Sequence, residues 1–219
     1  MLIIFDLDDT LIDTSGSIIP FKMKICLEKL ISEGLKIPSF EEGYEKLLSF
    51  NAASMKSKDA LFDLVSFYGG DVSLVDRVIG EMTTPLPKDF FVKATPNAKE
   101  ILDLFSKKHI LTLVTSGYPP FQMEKLEKAG IDRSYFSKIA IPEDFVKKPL
   151  YASLLEEFSL SPEEAIVCGD RVALDLAPAF ELGIRTVHMK WGRGIVGKTE
   201  PWISHAISDL SELRRIVEV

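Results

Sequence analysis

The sequence predicts a doubly wound parallel α/β sheet, interrupted soon after its first strand by an all-helical insertion. Three observations carry that expectation. From about residue 95 onward, short apolar runs alternate with helical patterns, as in successive βα units. From about Pro20 to Gly80 the apolar spacing is helical, with no sustained alternation. Carboxylates and small polar residues stand where the apolar runs stop, the place where parallel sheets bind ligands.

The first element is the run Leu2 to Phe5, which ends abruptly at Asp6, Leu7, Asp8 and Asp9. Asp6 and Asp8 cannot sit unpaired in an apolar core, so they must emerge at the strand's end. Two residues apart, they lie on the same side of an extended chain. Such a pair calls for a cation, a phosphate-handling task, or both. Four helices are expected in the insertion, punctuated by Gly34, Pro38, Gly43, Gly69-Gly70 and Pro85/Pro87. A helix over Ala98 to Lys107 then leads into a strand from His109 to Val114, which stops at Thr115-Ser116-Gly117. Pro119-Pro120 opens the next helix and Gly130 stops it. Phe136 to Ile141 is a short strand and Leu150 to Phe158 a helix. Ala165 to Cys168 is a strand ending at Gly169-Asp170. A helix through Leu174 to Leu182, a strand from Ile184 to Met189 and a helix from Leu210 to Val217 complete the chain. Polar groups scattered in sequence are thereby placed on one rim of one sheet.

Composition narrows the function. The chain has 219 residues, 46% hydrophobic and 27% charged, as in an ordinary globular protein. A formal charge of -7 argues against a nucleic-acid surface, which would need a basic face. Between Thr14 and Ala94 there are ten Lys/Arg against eleven Asp/Glu, but sixteen against twenty-two elsewhere, so the acidity belongs to the α/β part. Cys26 and Cys168 have no disulfide or zinc spacing, and a buried thiol is expected for Cys168. No stretch resembles a signal peptide or a membrane span, so the expectation is a reduced cytoplasmic enzyme with no membrane partner.

Taken singly, each polar group also fits a bland role. Asp6 and Asp8 suit turns or helix caps, Thr115-Ser116-Gly117 a strand-ending turn, Lys148 a solvated surface, and Asp170 and Asp175 the cap of a helix. Together they carry a resemblance. Phe5-Asp6-Leu7-Asp8-Asp9-Thr10-Leu11, Val114-Thr115-Ser116-Gly117, Lys148-Pro149 and Gly169-Asp170-Arg171-Val172-Ala173-Leu174-Asp175 resemble the four ordered motifs of the haloacid dehalogenase-like (HAD) hydrolase superfamily. The resemblance implies a Rossmann-like core over residues 1–13 and 95–219. The helical insertion, residues 14–94, is similar to that superfamily's type 1 cap.

The same resemblance implies a role for each residue. Asp6 would attack phosphorus and form an aspartyl-phosphate. Asp8 would protonate the leaving oxygen and then activate water, the feature that separates the phosphatases from the dehalogenases and transport ATPases. Thr115, with Ser116 and Gly117, would hold phosphoryl oxygens, and Lys148 would neutralise their charge. Lys147 competes with Lys148, but the following Pro149 matches the family pattern and favours Lys148. Magnesium would be held by Asp6, Asp170 and the backbone carbonyl of Asp8, all oxygen donors, with Asp175 one step behind. Tyr151, where a second proline is common, and Arg171, where a small polar residue is frequent, depart from the pattern.

A cap hinged near Thr14-Ser15-Gly16 and Lys93-Ala94-Thr95 would close over the site and select the substrate. Phe21, Lys22, Lys24 and the loop Asn51 to Lys58 are its candidate contacts, although ordinary exposed helix-end cations are the commoner case. The expectation is a magnesium-dependent phosphomonoesterase for a small phosphorylated metabolite, acting as a monomer or homodimer. The rivals are a phosphomutase with the same core and a non-catalytic phosphate-binding regulatory module.

Overall fold

The computed structural model describes residues 1–54, 56–142 and 145–217. Among them, six parallel strands form one sheet in the order β3-β2-β1-β4-β5-β6. These are β1 (Leu2–Phe5), β2 (Ile110–Val114), β3 (Lys138–Ala140), β4 (Ala165–Gly169), β5 (Arg185–Met189) and β6 (His205–Ile207). β1 is central and all four of its residues are buried, which is why it reads as a continuous apolar run. Its alternate residues face opposite ways. Leu2 and Ile4 join Ala165 and Val167 of β4 under Tyr151 and Leu154 of α7 (Lys148–Phe158), with Leu176 and Ala179.

The register positions the site. Phe5 is level with Leu113 of β2 and with Cys168 of β4, so the chain leaves all three strands at one height. Asp6 extends the ladder one step further, its N–H donating to the Cys168 carbonyl at 3.0 Å. Strand order reverses at β1, and such a switch point opens a crevice at the strands' carboxyl ends.

The chain divides into two compact units, Met1–Thr14 with Lys88–Val219, and Ser15–Pro87. The second contains most of α1 (Thr14–Ser32) and all of α2 (Phe40–Ala53), α3 (Ser57–Phe67) and α4 (Ser73–Val78). It has its own core of Met23, Leu27, Leu30, Leu47, Leu61, Leu64, Val65 and Val75. Ser39 starts α2 by accepting from the Glu42 N–H, one of the orphan donors of a helix start.

Several expectations need correction. Residues 88–94 fall with the sheet, not the insertion, because backbone bonds tie them there: Asp13 N–H to the Lys93 carbonyl at 2.8 Å, and Val92 N–H to the Lys128 carbonyl at 3.4 Å. Thr14-Ser15-Gly16, expected as a linker, is the first turn of α1. Lys22 is buried within the helical unit, its ammonium donating to the Thr84 carbonyl and, at 2.8 Å, to the Thr84 hydroxyl. Lys58, by contrast, is the ordinary exposed cation that the sequence favoured, paired with Asp76 at 2.9 Å. Met55, in the expected contact loop, lies outside the described residues. The helix expected through Leu174 to Leu182 opens as a π-turn over Val172–Leu176 before continuing as α8 (Ala177–Phe180). β6 was not anticipated; three residues, two of them exposed, leave no alternating pattern to read. Both cysteines are free and buried. Among the described residues, no helix is long and apolar enough to cross a membrane.

Candidate active site

The site grows from the ends of β1, β2 and β4. Asp6 follows β1 and Asp170 follows β4. Asp175 returns from the π-turn, so that one carboxylate oxygen from each of the three lies within 4.8 Å of the others. All three are buried. Gly169 makes this approach possible: a Cβ there would lie 2.6 Å from Asp175 Cβ and 2.7 Å from its Oδ2. Asp175 is fixed at both oxygens, Oδ2 accepting from the Arg171 N–H at 2.9 Å and Oδ1 from Lys147 Nζ at 2.6 Å.

Lys147 is the cation of the cluster. It is buried, and its Nζ also donates to Asp6 Oδ1 at 2.6 Å. Lys148, expected in that role, instead pairs with Glu181 at 2.7 Å and is half-buried. The local backbone explains the swap. Lys148 and Pro149 occupy the first turn of α7, which turns the Lys148 side chain along the helix toward α8. Lys147 is the flanking residue, whose carbonyl accepts the first helical bond from Tyr151 at 3.0 Å. Pro149 marks the start of the helix and does not by itself say which lysine faces the acids.

Asp8 is held separately. Lys125 Nζ lies 2.8 Å from its Oδ1 and 3.0 Å from its Oδ2, Gln122 Nε2 donates to Oδ2 at 3.0 Å, and the Thr14 hydroxyl donates to Oδ1. Gln122 and Lys125 share one face of α6 (Pro119–Lys128), and neither was anticipated as part of the site. The signal available was their three-residue spacing in a helix directly after Thr115-Ser116-Gly117. Gln122 Nε2 also lies 2.6 Å from Thr115 Oγ1 and 2.9 Å from the Ser116 carbonyl. Thr115 is buried, its N–H donating to the Ala140 carbonyl at 3.2 Å. The Ser116 hydroxyl is buried without a partner. Gly117, at φ +136, is a position where an L side chain would be strained, and a Cβ there would press on Gln122 Cδ at 3.3 Å.

Electrostatics separates the acids. Burial pushes the Asp6 carboxyl up to about 7; Lys147 pulls against this, while Asp175 and Asp8 add to it. Burial, with the charges of Asp175, Asp6 and Asp9, pushes Asp170 well above the usual carboxylate range. Lys147 moves up instead: burial opposes its charge, but Asp175 and Asp6 outweigh it. Burial also works against Asp8, yet Lys125, Gln122 and Thr14 prevail and hold its carboxyl low. Lys147 thus bridges two of the three buried acids, Asp6 and Asp175, and the cluster keeps an excess of negative charge. Excess negative charge among oxygen donors is what a hard divalent cation would neutralise, so the donor set fits magnesium. Asp6 and Asp170 have the oxygens to offer it, whereas both oxygens of Asp175 are committed to Lys147 and Arg171.

A loop after β5 passes close to two of the acids, Asp9 and Asp170. Gly192 (φ +50) passes so close to Asp9 that a Cβ would lie 2.3 Å from its Cγ, and a Cβ at Gly194 would lie 3.1 Å from Asp170 Cβ. Trp191 Nε1 donates to Asp13 at 3.0 Å.

Residues 3–189 match the family model described as "Haloacid dehalogenase-like hydrolase". Among curated proteins, the chain is 28% identical to the glyceraldehyde 3-phosphate phosphatase of Pyrococcus furiosus, over 99% of this chain and 92% of that one. It is 29% identical to the protein of the same name from Methanocaldococcus jannaschii, over 99% and 96%. Among solved structures, a HAD hydrolase from Bacillus subtilis bound to magnesium superposes with a TM-score of 0.72 at 18% identity, covering 100% of this chain and 98% of the other.

Proposed function

This chain belongs to the haloacid dehalogenase-like hydrolase family, and from that premise we propose that it is a magnesium-dependent phosphomonoesterase working through an aspartyl-phosphate on Asp6. The observation that carries the reading is the buried Asp6–Asp170–Asp175 cluster, with Lys147 bridging Asp6 and Asp175 and a further, separately held acid at Asp8. A dehalogenase has no task for that further acid; phosphate-ester hydrolysis does.

In this reading Asp6 attacks phosphorus, forming an O–P bond as the ester oxygen departs with its electron pair. Asp8 gives that oxygen a proton, then takes one from the water that attacks the acyl-phosphate and frees Asp6. Lys125 keeps Asp8 ionised in the ligand-free protein, the form that activates water. A phosphate dianion bound alongside would favour its protonated form for the first step. The ammonium of Lys147 offsets charge on the transferred group, and the Thr115 hydroxyl and the partnerless Ser116 hydroxyl supply donors for its oxygens. Magnesium, held by Asp6, Asp170 and the Asp8 carbonyl, would supply Lewis-acid stabilisation of phosphoryl charge.

The substrate is proposed to be a small phosphorylated metabolite. Glyceraldehyde 3-phosphate leads the candidates, because relatives spanning nearly the whole chain bear that name. Choice among substrates is assigned to the helical unit, residues 15–87, inserted after the first motif.

The test is phosphate release from a panel of phosphorylated metabolites, with magnesium and with excess chelator. Hydrolysis of a triose phosphate is expected with magnesium, and loss of it on chelation. Full activity in chelator would overturn the metal assignment. Isomer formation without phosphate release would identify a mutase instead.

A further inference from the structure

We infer that Gln122 and Lys125 of α6 are positioning residues that set Asp8 for its work on the acyl-phosphate and link it to Thr115. This rests on the phosphomonoesterase reading and adds to it two residues outside the four motifs.

The geometry is specific. Lys125 spans both Asp8 oxygens at 2.8 and 3.0 Å, with only 8% of its own side chain exposed. Its ammonium also lies 5.0 Å from the centroid of the Phe121 ring, so the cation is held between a carboxylate and an aromatic face. Gln122 adds a bond to Asp8 Oδ2 at 3.0 Å and is itself buried. With Thr14 on Oδ1, each Asp8 oxygen has two donors, and the carboxylate has no freedom to rotate. An acid–base residue that must meet first an ester oxygen and then a water needs that restraint, since a shift of about 1 Å can cost about 10² in rate.

Gln122 has a second consequence. Its amide nitrogen carries two hydrogens and lies within bonding distance of Asp8, Thr115 Oγ1 and the Ser116 carbonyl. With Thr115 Oγ1 accepting from it, the threonine's own hydroxyl proton is free to point at a phosphoryl oxygen. One side chain therefore registers the phosphate anchor against the acid–base group.

The experiment is pre-steady-state hydrolysis of 4-nitrophenyl phosphate with saturating magnesium, comparing wild type with Lys125→Met, Lys125→Arg and Gln122→Met. Nitrophenolate leaves without needing a proton, so attack by Asp6 is insensitive to Asp8, whereas breakdown of the acyl-phosphate is not. For Lys125→Met the expected result is a first turnover within about 3-fold of wild type. A burst near one nitrophenolate per site should precede a steady state slowed by about 10². Lys125→Arg restores most of that rate. A purely structural role would lower first turnover and steady state together with no burst; that result, or an unchanged steady state, overturns the inference. Should Lys125→Met fail to melt cooperatively, Gln122→Met carries the test: with Thr115 and Asp8 both loosened, its steady state is expected to fall further than its first turnover, and an equal fall in the two overturns the inference. If wild type releases no nitrophenolate at all, the phosphomonoesterase reading fails, and this inference with it.

Discussion

The adjacent lysines show how much chemistry can turn on one residue. Lys147 is buried between Asp6 and Asp175, while Lys148, next along the chain, pairs with Glu181 at the surface. Removing Lys147 strands two carboxylates without their shared cation, which costs far more than losing a solvated pair. Lys147→Ala is expected to lower kcat/KM for a phosphate monoester by about 10² or more. Lys148→Ala should stay within about 2-fold, since an exposed pair is worth about 0–1 kcal/mol. Steady-state kinetics of both variants checks this, and the reverse ranking would return the role to Lys148. The motif alone could not choose, because a Lys-Lys-Pro string fixes the start of a helix, not which of two side chains lies against the sheet. Asp6, Asp8, Thr115 and Asp170 were legible for the opposite reason: each follows an apolar run, and a strand's end leaves a polar residue one place to go.

Among the elements, the strands were the easier to foresee. β1, β2, β4 and β5 are central in the sheet and covered on both faces, so their apolar runs announce them. β6 lies at the edge with only Ile207 buried, and such a strand depends on its neighbour rather than on its own pattern. The loop after β5 was missed because its role is a matter of backbone approach. Gly192 and Gly194 lie against Asp9 and Asp170, and nothing in a Gly-x-Gly string says what it touches. Gly192→Ala forces a Cβ into Asp9 at a position already in the left-handed region. It is expected to destabilise the protein by about 1–3 kcal/mol. Gly80→Ala, with no atom near enough to meet the added methyl, should stay within about 0.5 kcal/mol. Urea unfolding of the two variants measures the difference, and equal midpoints would refute the close approach of the loop.

At the scale of the molecule, part of the excess acidity of the α/β part gathers at one place. Asp6, Asp170 and Asp175 come from distant segments and meet at the switch point of the sheet, with one lysine among them. The doubly wound sheet was legible because its period changes along the chain, from helical spacing in the insertion to alternating strands and helices after it. The division near residue 88 was not, because backbone bonds from Asp13 and Val92 tie residues 88–94 to the sheet. Hydrogen bonds of that kind leave no trace in residue type. Gln122 and Lys125 escaped notice similarly: a polar pair on a helix face looks solvated until the fold sets an acid opposite it.

The central claim is that the Asp6 carboxylate takes the phosphoryl group. Rapid mixing with substrate, acid quenching and borohydride reduction converts an acyl-phosphate to its alcohol, and peptide mass spectrometry then locates it. The account predicts homoserine at position 6 in wild type and none in Asp6→Asn. Full turnover with position 6 unmodified, or with the reduced residue elsewhere, would contradict it.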